Sequence, residues 1–389
     1  MPGVTVSIAP EILNWIIQKV QFQNVNSSVY ELLNKWLSGE KEPTFNQVED
    51  MSKKTNIPFG YFFLDKPPVE ECKVVEYRTV DSISLQEPSR NLIDVLDMMS
   101  EAQEWMVDYL KDNGYEPLEF VGRGKRILSA SEIAHDIRKE LGLNVNWYES
   151  SKNTTDSFRY LRSCFENKGI MIMMSGIVGS NTRRKLDVDE FRAFTIVNEY
   201  APLIFINTCD SENGKLFSLL HEIAHVWLGE DSFYNEQYGS SVSVSQLEQI
   251  CNAVAAEILV PNMVFIEKWI EVSGTDLEKI EALAKFFKCS KYVVTRRACD
   301  NGNIDKDKYN EIVSLLVKNY HKWREEQKDS NSSDGDYYRT LASKLDHRFV
   351  KALEQSAKAG RTQYTEIYRL TNTNRKTFSR LVNEIGGVK

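Results

Sequence analysis

Residues 221–225 read His-Glu-Ile-Ala-His. Side chains four apart on a helix share a face, so His221 and His225 can offer two imidazoles to one metal ion. Glu222 sits one step round the helix, where it can reach a water on that ion without filling the coordination shell. The chemistry needs such a base: zinc lowers the pKa of bound water, but the proton must still be taken away. The pattern is that of metal-assisted hydrolysis, with Glu222 as general base.

Two histidines leave the shell short of a protein ligand. Glu248, 23 residues after His225, lies on a second helical stretch, SVSVSQLEQICNAVAAEILVP (240–261), which Pro261 ends. Its carboxylate could complete a His2Glu shell with one position open for water. Glu257 on the same stretch, and Glu230, Asp231 and Glu236 nearer the motif, are alternatives that the spacing leaves open. Glu257 reads as a solvent-facing residue, and Glu230 or Asp231 as loop charges or supporting partners. Asn252, four after Glu248, shares its face and could either orient the site or cap a loop. Cys209 stands between a strand-like stretch and the metal helix. Its thiolate could occupy the open zinc position and gate the site, although a small, partly buried thiol is the ordinary reading. His135, His321 and His347 stand alone in the sequence and read as structural or surface residues.

The elements that must hold these residues are legible from periodicity. Apolar helical stripes run through 11–20, 28–37 and 45–54, then a long amphipathic helix covers 91–113, and further helices 131–141 and 156–167. The period then shortens. GIMIMM (169–174), FRAFTIV (191–197) and PLIFIN (202–207) are short and rich in Ile, Val and Phe, and read as strands, with PLIFIN beside the cleft. The helices at 215–228 and 244–259 carry the chemistry. HKWREEQKDSNSSDGD (321–336) reads as a linker before a helical C-terminal segment.

LFSLLHEIAHVWLG followed by LEQICNAVAAEILVP resembles the ImmA/IrrE family of metallopeptidases, and DVDEFRAFTIVNEYAPLIFIN (187–207) looks like the stretch that precedes the motif in its longer members. The resemblance implies Zn2+ held by His221, His225 and Glu248, with Glu222 as base. It also implies a mainly helical α+β fold, a zincin-like core with a small sheet beside the HExxH helix. The expected organisation is a helix-turn-helix-like unit at 1–70, a helical linker at 71–125, the peptidase domain at 126–320 and a basic helical segment at 337–389. CSKYVVTRRACDNGNID (289–305) reads as the closing part of the peptidase domain.

Residues 9–64 resemble the helix-turn-helix domains fused to longer family members, through the Trp36, Gly39, Pro43 and Thr44 turn. A recognition helix needs polar groups for base edges and cations for phosphate. The helix before Trp36 offers only Asn34 and Lys35, and residues 1–70 carry a net charge of −2. DNA binding by this unit is therefore not favoured, and a docking or dimerisation module is expected. Residues 356–389 have a net charge of +5 with Tyr364, Tyr368 and Phe378 interleaved. They could bind nucleic acid or an acidic partner, but a solvated helical face is the default.

The whole chain, 389 residues with a net charge of −8, does not look like a generic nucleic-acid-coating protein. Its six cysteines are scattered without a CxxC pair, and no stretch of about 18 apolar residues occurs, so a reducing cytoplasm and no membrane are expected. The resemblance implies an endopeptidase whose protein substrate is a regulator such as a helix-turn-helix repressor, in phage, mobile-element, stress or toxin–antitoxin control. The alternative is an antitoxin-like binding protein or transcriptional regulator that uses the scaffold to hold a toxin. A homodimer is compatible with either.

Overall fold

The computed structural model of the chain describes residues 4–21, 27–68, 88–127, 129–234, 246–329 and 337–387. Cys72 and Glu236 lie outside them. The chain divides into two units, Met1–Leu96 and Asp97–Lys389.

In the first unit the apolar stripes become α1 (Pro10–Gln21), α2 (Ser27–Leu37) and α3 (Phe45–Thr55), followed by a 3-10 turn at Phe59–Phe63. Ile12, Ile16, Leu33, Trp36, Val48 and Phe62 form its core. Thr44 caps α3 in a reciprocal capping box with Gln47, satisfying two of the donors that a helix start leaves open. The long helix α4 (Arg90–Asp112) contains the boundary between the units.

The second unit is a mainly helical α+β fold, as expected. It runs through α5 (Ala130–Leu141) and α6 (Thr154–Asn167) into the strands β1 (Met171–Ser175), β2 (Ile177–Val178), β3 (Asn181–Lys185), β4 (Ala193–Ile196) and β5 (Leu203–Asn207). Then come α7 (Glu212–Leu228), β6 (Ser232–Tyr234) and α8 (Gln246–Leu259). A four-stranded sheet has the order β1-β5-β4-β6, with β1 parallel to β5 and the other pairs antiparallel. β2 and β3 form a separate hairpin, which alternation did not reveal because β3 is largely exposed. β5 is buried at every residue, which explains why PLIFIN reads as one apolar run. Helix α7 lies on the sheet and packs against α6 and α8, and α5 packs against α8.

Helices α9 (Asn262–Glu271), α10 (Asp276–Phe287), α11 (Lys291–Asp300) and α12 (Lys306–Asp329) follow. The expected linker is thus helical as far as Asp329, and 330–336 lie outside the described residues. The helix persists because it is tethered. Tyr320 donates to Asp210 Oδ1 at 3.0 Å and Arg324 to Asp189 Oδ1 at 2.6 Å. Four helices close the chain: α13 (Tyr337–Lys344), α14 (His347–Lys358), α15 (Tyr364–Thr371) and α16 (Arg375–Gly387).

The start of this segment is joined to the outer strand of the sheet. The Arg162 guanidinium donates to the carbonyls of Ser343 and Leu345, to Ile172 O at 3.3 Å and to Glu166. The buried Asp346 caps α14 through Phe349 N at 2.8 Å and accepts from Ile172 N at 3.4 Å. No single helix among the described residues is long and apolar enough to cross a membrane.

Candidate metal centre

From Ser218 to Leu228 every residue of α7 is buried. A helix that is covered on all sides must be a core helix, and its polar members must answer to one another. The helix starts at Ser211, whose hydroxyl accepts the Gly214 N–H at 3.1 Å. It ends at Gly229, in the left-handed region at φ 65. A Cβ there would come within 2.9 Å of Gly122 Cα, so only glycine fits both the turn and the approach.

His221 and His225 have no solvent exposure. Their Nε2 atoms face each other at 3.1 Å. Glu248, half-buried on α8, places Oε2 at 3.0 Å from His221 Nε2 and Oε1 at 3.5 Å from His225 Nε2. Asn252, one turn further along α8, puts its Oδ1 at 2.9 Å from His221 Nδ1. The proton on Nδ1 is thereby used, and the Nε2 lone pair is left pointing at the other two groups. Of the two roles open to Asn252, orientation of the site is the one its geometry serves.

This donor set fits a metal ion. The three ligand atoms lie within 4.8 Å of one another. A tetrahedral shell with arms of about 2.0–2.1 Å has edges of about 3.3–3.4 Å, close to the three separations found. Two imidazole lone pairs at 3.1 Å, both facing a carboxylate, repel unless a cation or proton lies among them.

Glu222 is also fully buried. Its Oε2 accepts a hydrogen bond from Thr195 Oγ1 at 2.6 Å and another from Ser232 Oγ. Its Oε1 has no hydrogen-bond partner among the described residues. One carboxylate oxygen is thus fixed and the other is left as a bare acceptor. Thr195 is on β4 and the second hydroxyl comes from β6, while β5, the PLIFIN strand, packs against the same helix as expected. Neither Thr195 nor Ser232 carries a local signal that sequence reasoning could have used: they lie 27 and 10 residues from Glu222.

The remaining candidates lie elsewhere. Glu257 is not solvent-facing: it accepts from Arg297 at 3.0 Å and from Asn262 N at 3.3 Å, tying α8 to the helices after it. Glu230 pairs with Lys125 at 2.8 Å, and Asp231 accepts the Val197 N–H at 2.6 Å at the end of β4. Cys209 is not brought to the histidines, contrary to the gating expectation. Its thiol is exposed and donates to Gly176 O at 3.4 Å. The reason is helical rise: Glu212, the first residue of α7, precedes His221 by nine positions, about 13 Å along the axis, and Cys209 lies before it. Burial pushes the neighbouring Cys251 thiol well up, and it serves in packing. His135 and His321 are exposed, and His347 bonds Ala342 O at 3.3 Å.

Residues 165–298 match the family described as the IrrE N-terminal-like domain, peptidase family M78, and the matched span contains all four residues of the centre. Residues 345–384 match a domain of unknown function, DUF8813. No curated protein and no solved structure matches the chain.

Proposed function

Residues 165–298 match the IrrE N-terminal-like peptidase family, and from this premise we propose that the chain is a zinc-dependent endopeptidase acting on a regulatory protein. The observation that carries the reading is the convergence of His221 Nε2, His225 Nε2 and a Glu248 carboxylate oxygen within 3.0–3.5 Å of one another, beside a buried glutamate with one unpartnered oxygen.

His221, His225 and Glu248 would hold the ion, with Asn252 fixing the His221 tautomer. Zinc supplies Lewis acidity there, polarising the scissile carbonyl and making water acidic enough to deprotonate near neutrality. Glu222 Oε1 takes the proton of the attacking water and returns it to the departing amine nitrogen. Thr195 and Ser232 hold Oε2, so the carboxylate does not swing as its charge changes. The burial of both histidines and of Glu222 keeps bulk water from competing for these atoms. The substrate class that the family resemblance favours is a helix-turn-helix repressor.

The test is to incubate the zinc-loaded protein with the products of its neighbouring genes and map cuts by mass spectrometry, with Glu222→Gln as control. Cleavage by the wild type and none by the variant, with equal zinc content, is expected. Equal cleavage by both would remove Glu222 from the mechanism. Tight binding of a neighbour without any cut would favour the binding-protein alternative.

A further inference from the structure

The C-terminal helices lie outside the peptidase match and have a surface of their own. Phe349, Val350 and Leu353 of α14, Ile367 and Leu370 of α15, and Phe378, Leu381 and Ile385 of α16 are buried. Each of these helices is therefore amphipathic and covers one face on its neighbours. α15 and α16 are joined by only three residues, 372–374. Asn372 takes the left-handed conformation, φ 51, that ends α15. Asn374 starts α16 by accepting the Thr377 N–H on its side chain at 3.0 Å. Two short helices joined through a turn of three or four residues make the helix-turn-helix arrangement.

The outward face of α16 carries Arg375, Lys376, Ser379, Arg380 and Asn383, all exposed. Arg375 and Lys376 have no ion pair among the described residues. Elsewhere in the segment Lys358 pairs with Glu354 and Arg369 with Glu101. Arg380 lies over the Tyr338 ring at 4.8 Å, which holds its guanidinium at the surface. No large apolar side chain of α16 is exposed. The β2–β3 hairpin meets the turn as well: a Cβ on Gly179 would stand 3.0 Å from Asn372 Oδ1. The hairpin's second strand carries the exposed Arg183.

We propose that α14–α16 form a DNA-binding helix-turn-helix with α16 as the helix that enters the major groove. Cations at its start suit phosphate, while Arg, Ser and Asn further along suit base edges. A helix of about 10–12 Å diameter fits the major groove of B-DNA, about 12 Å wide, but not the deep, narrow one of duplex RNA. An acidic protein partner is disfavoured on α16 itself, which exposes no large apolar side chain of the kind protein interfaces need at their centre. In the first unit, Lys53 and Lys54 on α3 are by contrast paired with Glu49 and Asp50 one turn away.

The test uses the full-length chain and a fluorescein-labelled 30-base-pair DNA duplex of mixed sequence, followed by anisotropy from about 50 to 200 mM salt. Binding should weaken with salt. Arg375→Ala combined with Lys376→Ala should lower affinity about tenfold or more and reduce the log–log salt slope by about 2, and Arg183→Ala by about 1. Both sites are exposed, and unchanged melting temperatures will show the variants folded. Ser379→Ala with Asn383→Ala should change the sequences recovered from a random duplex library. Lys53→Ala with Lys54→Ala should leave binding intact. The proposal fails if no binding is seen at the lowest salt, or if the α16 double variant binds like the wild type. It fails equally if loss follows the Lys53/Lys54 variant instead, or if duplex RNA or polyglutamate competes as well as duplex DNA.

Discussion

Thr195 Oγ1 lies 2.6 Å from Glu222 Oε2, a hydrogen bond between a sheet strand and the helix that carries His221 and His225. With Ser232 on the same oxygen, it decides which of the two carboxylate oxygens can meet a proton. Thr195→Val should keep the fold and full zinc content, leave KM nearly unchanged and reduce kcat about tenfold, because the general base loses its fixed orientation. Thr195→Ser should restore most of the loss. Steady-state kinetics on an identified substrate, with metal analysis of each variant, checks this. An unchanged kcat in the valine variant would show the bond to be structural only.

Asn252 should matter to the metal without touching it. Removing the acceptor from His221 Nδ1 frees the imidazole to take the other tautomer, and partners of this kind are worth about 10–100-fold in metal affinity. Asn252→Ala should lower zinc affinity by that factor in a competition titration with a chromophoric chelator. His221→Ala and Glu248→Ala should lose stoichiometric binding.

A third expectation concerns pH. Burial pushes the Glu166 carboxyl up to about 7 despite the pull of Arg162, and the buried Asp346 is likewise raised by burial. A carboxyl raised in the folded state binds its proton more tightly there than when unfolded, so stability falls as pH rises from about 4.5 to about 7. Glu166→Gln should flatten that part of the profile. Urea midpoints of both proteins across this range give the comparison, and parallel profiles would show that Glu166 is ionised throughout.

Gly214 gives a prediction that opposes helix propensity. Alanine in a helix ordinarily gains up to about 1 kcal/mol over glycine. Here a Cβ would fall 2.2 Å from Asp210 Oδ2, and Asp210 is buried against Arg192 with the Tyr320 hydroxyl on its other oxygen. Gly214→Ala should therefore destabilise the protein by about 1–3 kcal/mol. A raised melting temperature would contradict it.

The metal helix was readable because local sequence carries both of its signals: histidines at one-turn spacing, and an apolar run long enough to exclude a strand. The three apolar strands were readable for the same reason. What escaped the sequence depends on pairing across distance. β6 is three residues long, β3 is exposed and polar, and the hydroxyls that hold Glu222 come from a strand and from the segment after the helix. Glu257 was misread because burial of a carboxylate depends on an arginine 40 residues away. Cys209 was misplaced because closeness in sequence to a helix start says little about atoms nine residues along it.

β1 is an outer strand of five residues, Met171–Ser175, and only its inner side is paired, with β5. The open side exposes the peptide group of Ile172, and it is not left to water: Asp346 takes the N–H and Arg162 reaches the carbonyl, while the chain at Ser343–Asp346 lies across the gap. An unpaired rim of Met and Ile is a template for a foreign strand, and proteins blunt such rims with charge or cover. Here the cover comes from a segment more than 40 residues beyond the end of the family match at 298. A fragment cut to residues 165–298 would carry His221, Glu222, His225 and Glu248 and still bare this rim to self-association. The candidate metal centre and the cover of this rim are therefore encoded in different parts of the chain.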